Sequence, residues 1–193
     1  MKILAWFGSL RMVLTVLTAI TSLHMGLITL GNISDFDTNR AFVEHVLTMD
    51  TTFGSSNTKW RAITDQRLIT ATYLTIIAWE FLTTIALTVA FLCWLRAIAI
   101  KRGVVAACQL SALGWLMQVI LFGGGFLTIG GEWFQMWQSS EWNGTQSALQ
   151  NFLIASIGLI FVHLIRPESL NETREQSRIV EHYPVAKTGG HDR

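Results

Sequence analysis

Charge is scarce in this chain. Of its 193 residues only 14% are Asp, Glu, Lys or Arg, against about 25% in an ordinary soluble domain. The shortage is uneven. Four long stretches are almost free of charge, and the charged residues gather between them. That pattern argues against a single water-solvated core and fits a chain dissolved in lipid. A net charge of +1 and the lack of any large Lys/Arg cluster argue against nucleic acid as a partner, which needs a basic face against its phosphates. Cysteine is rare too. Cys93 and Cys108 are the only two, too few for a disulfide framework. They lack the C-x-x-C spacing of a redox pair and read as small packing hydrophobes. No nucleophile–base set, phosphate loop or metal-ligand spacing occurs. No catalytic residue, cofactor or metal is therefore expected, and the sequence leans away from an enzyme, with a membrane redox enzyme as a third reading.

Long apolar runs are what the chain has instead. They cover residues 12–31, 71–95, 103–131 and 144–165. A helix rises about 1.5 Å per residue, so about 20 residues cross a hydrocarbon core of about 30 Å. Each run is long enough. Backbone groups in lipid must pair within their own segment, which makes such runs helices, and none alternates as a barrel strand would. Lys2 and Arg11 precede the first run as they would a signal peptide. Its apolar part continues to Leu30 with no small-x-small cleavage site, so a retained helix is expected. The expected fold is an all-α, integral membrane, antiparallel four-helix bundle over residues 1–166, followed by a polar, mostly disordered tail over 167–193.

Lys and Arg set the orientation. Lys2 and Arg11 precede the first span; Arg96, Lys101 and Arg102 crowd the turn between the second and third; Arg166, Arg174 and Arg178 follow the fourth. The loop from Gly130 to Asn143 has neither Lys nor Arg, and contains Glu132 and Glu141. Both termini are therefore expected in the cytoplasm and the two longer loops outside. In the first outer loop Phe42, Val43, Val46 and Leu47 share one helical face. A short amphipathic helix on the membrane surface or over the bundle mouth follows, with Asp37 or Asn39 as its cap. Asp65 is placed to cap the second span. Asn143, with Gln146 three residues on, resembles a capping box for the fourth.

Several stretches carry a family resemblance. They are Asn32-Ile33 with Asp35, then Ala41-Phe42-Val43-Glu44-His45-Val46-Leu47-Thr48-Met49-Asp50-Thr51-Thr52-Phe53, Trp60-Arg61-Ala62-Ile63 and Ile77-Ala78-Trp79-Glu80. Gly130-Gly131-Glu132-Trp133-Phe134-Gln135-Met136-Trp137-Gln138 and Trp142-Asn143-Gly144 complete the set. Together they resemble a bacterial family of predicted small integral membrane proteins, a domain of unknown function. The resemblance spans residues from about 10 to 165. It implies four spans and a bacterial inner membrane, and it implies no activity.

A few polar residues stand out within the spans. An ionised Glu80 in the bilayer costs about 2.5–3.5 kcal/mol on insertion scales, so it must face the bundle and find a partner or take up a proton. Thr84 and Thr88 continue its stripe. His24 lies at a similar expected depth, which allows a Glu80–His24 hydrogen bond. Glu80, His24 and Thr84 thus form a candidate intramembrane site, either a proton or cation site or a structural clamp. His163 lies near the opposite end from His24, so the two do not make a haem site. His45 and Glu44 with Asp35, Asp37 and Asp50 lack metal-ligand spacing and read as a solvated loop. Ala107, Ser111, Gly114, Gln118 and Gly125 make one stripe, and Asn151, Ala155 and Gly158 another, both suited to close helix packing. Gly123-Gly124-Gly125 suggests a hinge or a close backbone approach. Glu132, Trp133, Trp137 and Trp142 crowd the outer surface as a docking patch or an aromatic belt.

The expected function is a non-catalytic accessory or interaction subunit, with membrane lipid around it and other membrane subunits or further copies of itself as partners. The alternative is a small proton-coupled carrier or channel that uses Glu80.

Overall fold

The computed structural model describes residues 8–100 and 103–165. Lys2, Lys101, Arg102, Arg166 and the tail from Pro167, with its Arg174 and Arg178, lie outside the described residues. Among the described residues there are helices and turns but no strands. Four helices are long and apolar enough to cross a membrane.

The first, α1, runs Leu10–Ser34. The Ser9 hydroxyl caps its start by accepting from the Met12 N–H at 3.4 Å, which satisfies one of the donors a helix N-terminus leaves free. α2, Phe36–Thr48, leaves α1 at Asp35 and packs beside the first turns of α3, Gln66–Ile100. Asp65 caps α3, its Oδ1 accepting from Arg67 N at 2.7 Å and Leu68 N at 3.4 Å. α4 begins at Val104 with ordinary helical pairing to Val119 and continues as a wider π-helical stretch over Ile120–Trp133. α5 is Thr145–Leu164.

The four long helices form an antiparallel ring. α1 packs on α3, α3 on α4 and α4 on α5, and α5 closes back on α1 over the smallest shared surface. Leu14, Met25, Leu87, Trp94, Trp115 and Phe122 fill the centre. Small residues bring the helices together. A Cβ on Gly114 would lie 2.6 Å from Leu87 Cγ, and one on Gly158 would lie 2.6 Å from Trp115 Cδ2. In lipid, such close backbone approach replaces the hydrophobic drive that water supplies. The outward face of α1 carries Val16, Ile20, Leu23, Leu27 and Leu30, all exposed. Their helical spacing makes a continuous apolar stripe, which lipid solvates and water would not.

Hydroxyls tie α1 to its neighbours. Ser22 Oγ lies 2.8 Å from Thr88 Oγ1 and Thr29 Oγ1 lies 3.4 Å from Thr84 Oγ1. Thr18, Ser111 and Trp94 form a buried chain in which Trp94 Nε1 donates to Ser111 Oγ at 2.9 Å. Cys93 and Cys108 are unpaired and half-buried against the core.

Three details depart from the sequence expectation. The cap position of α2 is Asp35 rather than Asp37 or Asn39, and it makes no side-chain cap bond. The triple glycine is no break. It lies within the π stretch, where the Thr128 hydroxyl donates to Gly123 O and Phe134 N to Ile129 O, each five residues back. Gly123 itself receives the Phe152 ring of α5, whose Cδ2 would lie 2.8 Å from a Cβ there. Asn143 Oδ1 accepts from Thr145 N at 3.1 Å, yet Gln146 makes no return bond among the described residues.

Candidate functional site: a polar cavity beneath interlocked loops

The end of the bundle that carries the two loops is not packed solid. A cavity of about 300 Å³ lies there, walled by all four long helices and by α2. Ligand pockets begin at about that size. Its polar lining comes from Asn32, Asn39, Tyr73, Glu80, Ser147 and Asn151. Every one of these elements places its residue for a local reason. α1 stops just after Asn32, while α3 runs on past it, so Tyr73 and Glu80 both reach the Asn32 level. α5 turns the face bearing Ala148, Asn151 and Ala155 inward.

Glu80 is the acid of the site. It is only 1% exposed. Its Oε2 accepts from Asn32 Nδ2 at 2.7 Å, and the Tyr73 hydroxyl donates to the Asn32 carbonyl at 2.7 Å. Asn32 is thus held from behind while it holds the carboxyl. No cation pairs with Glu80 among the described residues, where the only ion pairs are Arg40–Glu44 and His45–Asp50. Oε1 has no hydrogen-bond donor there either. A lone buried carboxyl with one oxygen free and a cavity beside it is expensive in lipid unless a proton or a positively charged guest completes it.

Similar depth allows a Glu80–His24 hydrogen bond, but the structure pairs the two residues with other partners. His24 Nε2 lies 3.0 Å from Asn151 Oδ1, across the α1–α5 seam, and the His24 side is exposed. Asn151 itself lines the cavity with Glu80 and donates to Ser147 O at 3.0 Å. Thr84 lies one turn from Glu80 but turns to α1. Its hydroxyl donates to the Glu80 carbonyl at 2.9 Å and meets Thr29. It belongs to a helix seam, not to the cavity wall.

Gln118 sits deeper, at 0% exposure, and neither amide atom has a partner among the described residues. Asn32, Asn39, Tyr73 and Ser147 were not legible as site residues. Asn32 and Asn39 stand in apparent loop sequence, and Tyr73 lies in the second apolar run with no pattern to single it out. Asn151 was recognised only as an interhelical amide.

The aromatic residues of the second loop are pinned by the first. Trp133 meets Trp60 edge-on at 5.8 Å, with the Arg61 guanidinium 4.6 Å over its ring. Trp137 meets Phe53 at 5.9 Å, and Trp142 stacks on His45 at 4.4 Å. Hydrogen bonds reinforce the clasp. Thr51 donates to Ser139 Oγ at 2.9 Å, Phe53 N to Gln138 Oε1 at 2.9 Å and Thr58 Oγ1 to Gln135 Oε1 at 3.0 Å. Glu132 is exposed and makes no ion pair among the described residues. Trp133, Trp137 and Trp142 thus make separate contacts along a joint between the two loops.

No group of three or more His, Cys, Asp or Glu able to hold a metal occurs among the described residues. No curated protein and no solved structure matches the chain. Residues 10–165 match the family described as predicted small integral membrane protein (DUF2165), and that span takes in the four long helices, both loops and every residue of the cavity. The chain belongs to that family of small integral membrane proteins.

Proposed function

We propose that this protein is a non-catalytic membrane protein that receives a small positively charged guest at Glu80. The observation that carries the reading is a buried carboxyl, free of any cationic partner among the described residues, on the wall of a cavity of about 300 Å³. Neutral amides and hydroxyls surround it, so a single positive charge balances the site. Below the cavity the bundle is closed by Leu87 against Gly114 and Trp115 against Gly158. This favours a one-sided binding site over an open channel. Carriage across the membrane would require those contacts to part. The test is titration of the purified protein with ammonium and methylammonium, following intrinsic fluorescence. A saturable response in the wild type that disappears in Glu80→Gln supports the reading. The same response in both proteins refutes it.

Positioning in the cell is part of the proposal. Arg11 and Arg96 near one end of the bundle, with Lys2, Lys101, Arg102 and Arg166 in the adjoining sequence, support a bacterial cytoplasmic membrane with both termini inside. Reporter fusions near Gly103 and at Ser139 should then report opposite faces.

A second reading rests on a separate observation. Phe53, Trp60, Trp133 and Trp137 are all exposed on the loop joint, which favours a docking surface for another membrane subunit or a second copy. Purification in mild detergent tests it. A lone monomer without stable companions counts against an accessory role.

A further inference from the structure

Beside the polar cavity lies a second one of different character. It measures about 170 Å³, and its lining is almost wholly apolar, with Val46, Leu47, Gly125, Ile129 and Phe134 on its walls. Phe42, Val43, Ile76 and Phe126 line both spaces. A carboxyl-bearing chamber and a hydrocarbon-like one therefore adjoin along these four side chains. The polar chamber has a further property. Four aromatic residues line it, Phe42, Tyr73, Phe122 and Phe126. A carboxyl with several aromatic rings is the chemistry that holds an organic ammonium group, because ring faces attract a cation that carries its own apolar surface. It is poor chemistry for a hard metal ion, which needs about six or more oxygen ligands.

The geometry points to the guest as an organic ammonium ion with a hydrocarbon arm, its charged end among Glu80 and the aromatic rings and its arm in the adjoining apolar pocket. This rests on the cation reading of Glu80 and narrows it. Such a guest has two natural sources: a membrane lipid with an amine headgroup, or a free amphiphilic amine.

The experiment uses the full-length protein in nanodiscs of phosphatidylglycerol alone, titrated calorimetrically with methylammonium, hexylammonium and neutral hexanol. Each methylene withdrawn from water contributes about fourfold in affinity. Two seated methylenes thus favour hexylammonium over methylammonium by about fifteenfold. Gly125→Leu and Val46→Phe both fill only the apolar pocket, and they should erase that preference while leaving methylammonium binding intact. Glu80→Gln should weaken both amines and leave the weak partitioning of hexanol unchanged. Nanodiscs containing phosphatidylethanolamine separate the sources. Competition there identifies the lipid headgroup, and its absence identifies a free amine. Equal affinity for the two amines, or a hexyl preference untouched in both pocket variants, overturns the inference while the cation site stands. Failure of both amines to bind overturns both.

Discussion

Replacing Gly158 by alanine adds one methyl group where α5 crosses α4. That methyl would lie 2.6 Å from Trp115 Cδ2 and 2.8 Å from Cζ2, about 1 Å inside ordinary carbon contact. Trp115 cannot yield easily, since its ring is fully buried in the core. The helices must separate instead, and overpacking of this kind costs about 1–3 kcal/mol. Gly31→Ala provides the control. It lies in the same class of apolar helix, yet a Cβ there has nothing within 4 Å. Removing a flexible glycine from that helix should stabilise by about 0.5–1 kcal/mol. Unfolding in a graded mixture of mild and denaturing detergent, followed by helicity, reads both changes. The expected result is a Gly158→Ala bundle that unfolds at clearly lower denaturant, with the Gly31→Ala bundle at or above the wild type. If Gly158→Ala unfolds with the wild type, α4 and α5 do not meet as described, and the walls of the cavity are misplaced with them.

Other expectations follow from the same contacts. Gln118→Met should raise bundle stability by about 1–3 kcal/mol, because it removes a buried amide that lacks partners; a drop in the same detergent assay would show that the amide is satisfied in the membrane. Asn32→Leu should destabilise by about 1.5–3 kcal/mol through the loss of a bond to a charged group, and in a Glu80→Gln background its cost should fall to the about 0.5–1.5 kcal/mol of a neutral bond when the double-mutant cycle is measured. Ser139→Ala removes one acceptor shared by Thr51 and Trp142 N; cleavage by added protease in the stretch around Ser55 should then quicken. Arg61→Ala should cost about 0.5–1 kcal/mol of cation–π attraction and alter the fluorescence of the Trp60–Trp133 pair.

The spans were legible because lipid imposes a simple rule of length and charge, and every apolar run became a helix. Their ends were less so. α1 continues to Ser34 and α3 begins at Gln66, since the polar residues past each run find partners in the protein. Asn39 donates to Asp35 O, and Arg40 reaches Thr70, Glu44 and Gln66. These extensions changed the pairing of depths. Glu80 lies 14 residues into α3, while Asn32 lies 2 residues from the end of α1. α3 therefore rises about 18 Å beyond α1 at 1.5 Å per residue, and α2 packs against that projection. Depths counted from assumed span ends put His24 opposite Glu80, where the fold puts Asn32. The cavity was illegible for a related reason. It is assembled from five helices, and no window of sequence contains it. The apolar face of α2 was read correctly, with Val43 and Leu47 buried over the bundle mouth.

The wide stretch of α4 has a consequence for how this protein can change over time. A ladder that reaches five residues back holds more chain per turn than one that reaches four. Loss of a single codon between 120 and 133 allows the ladder to relax to ordinary spacing. Residues within the stretch then turn by about 100° each instead of the smaller angle of the wide ladder. Phe126, on the wall shared by both cavities, and Ile129, on the wall of the apolar one, would face other neighbours while the helix still crossed the membrane. A deletion there can thus reshape both cavities without removing a span.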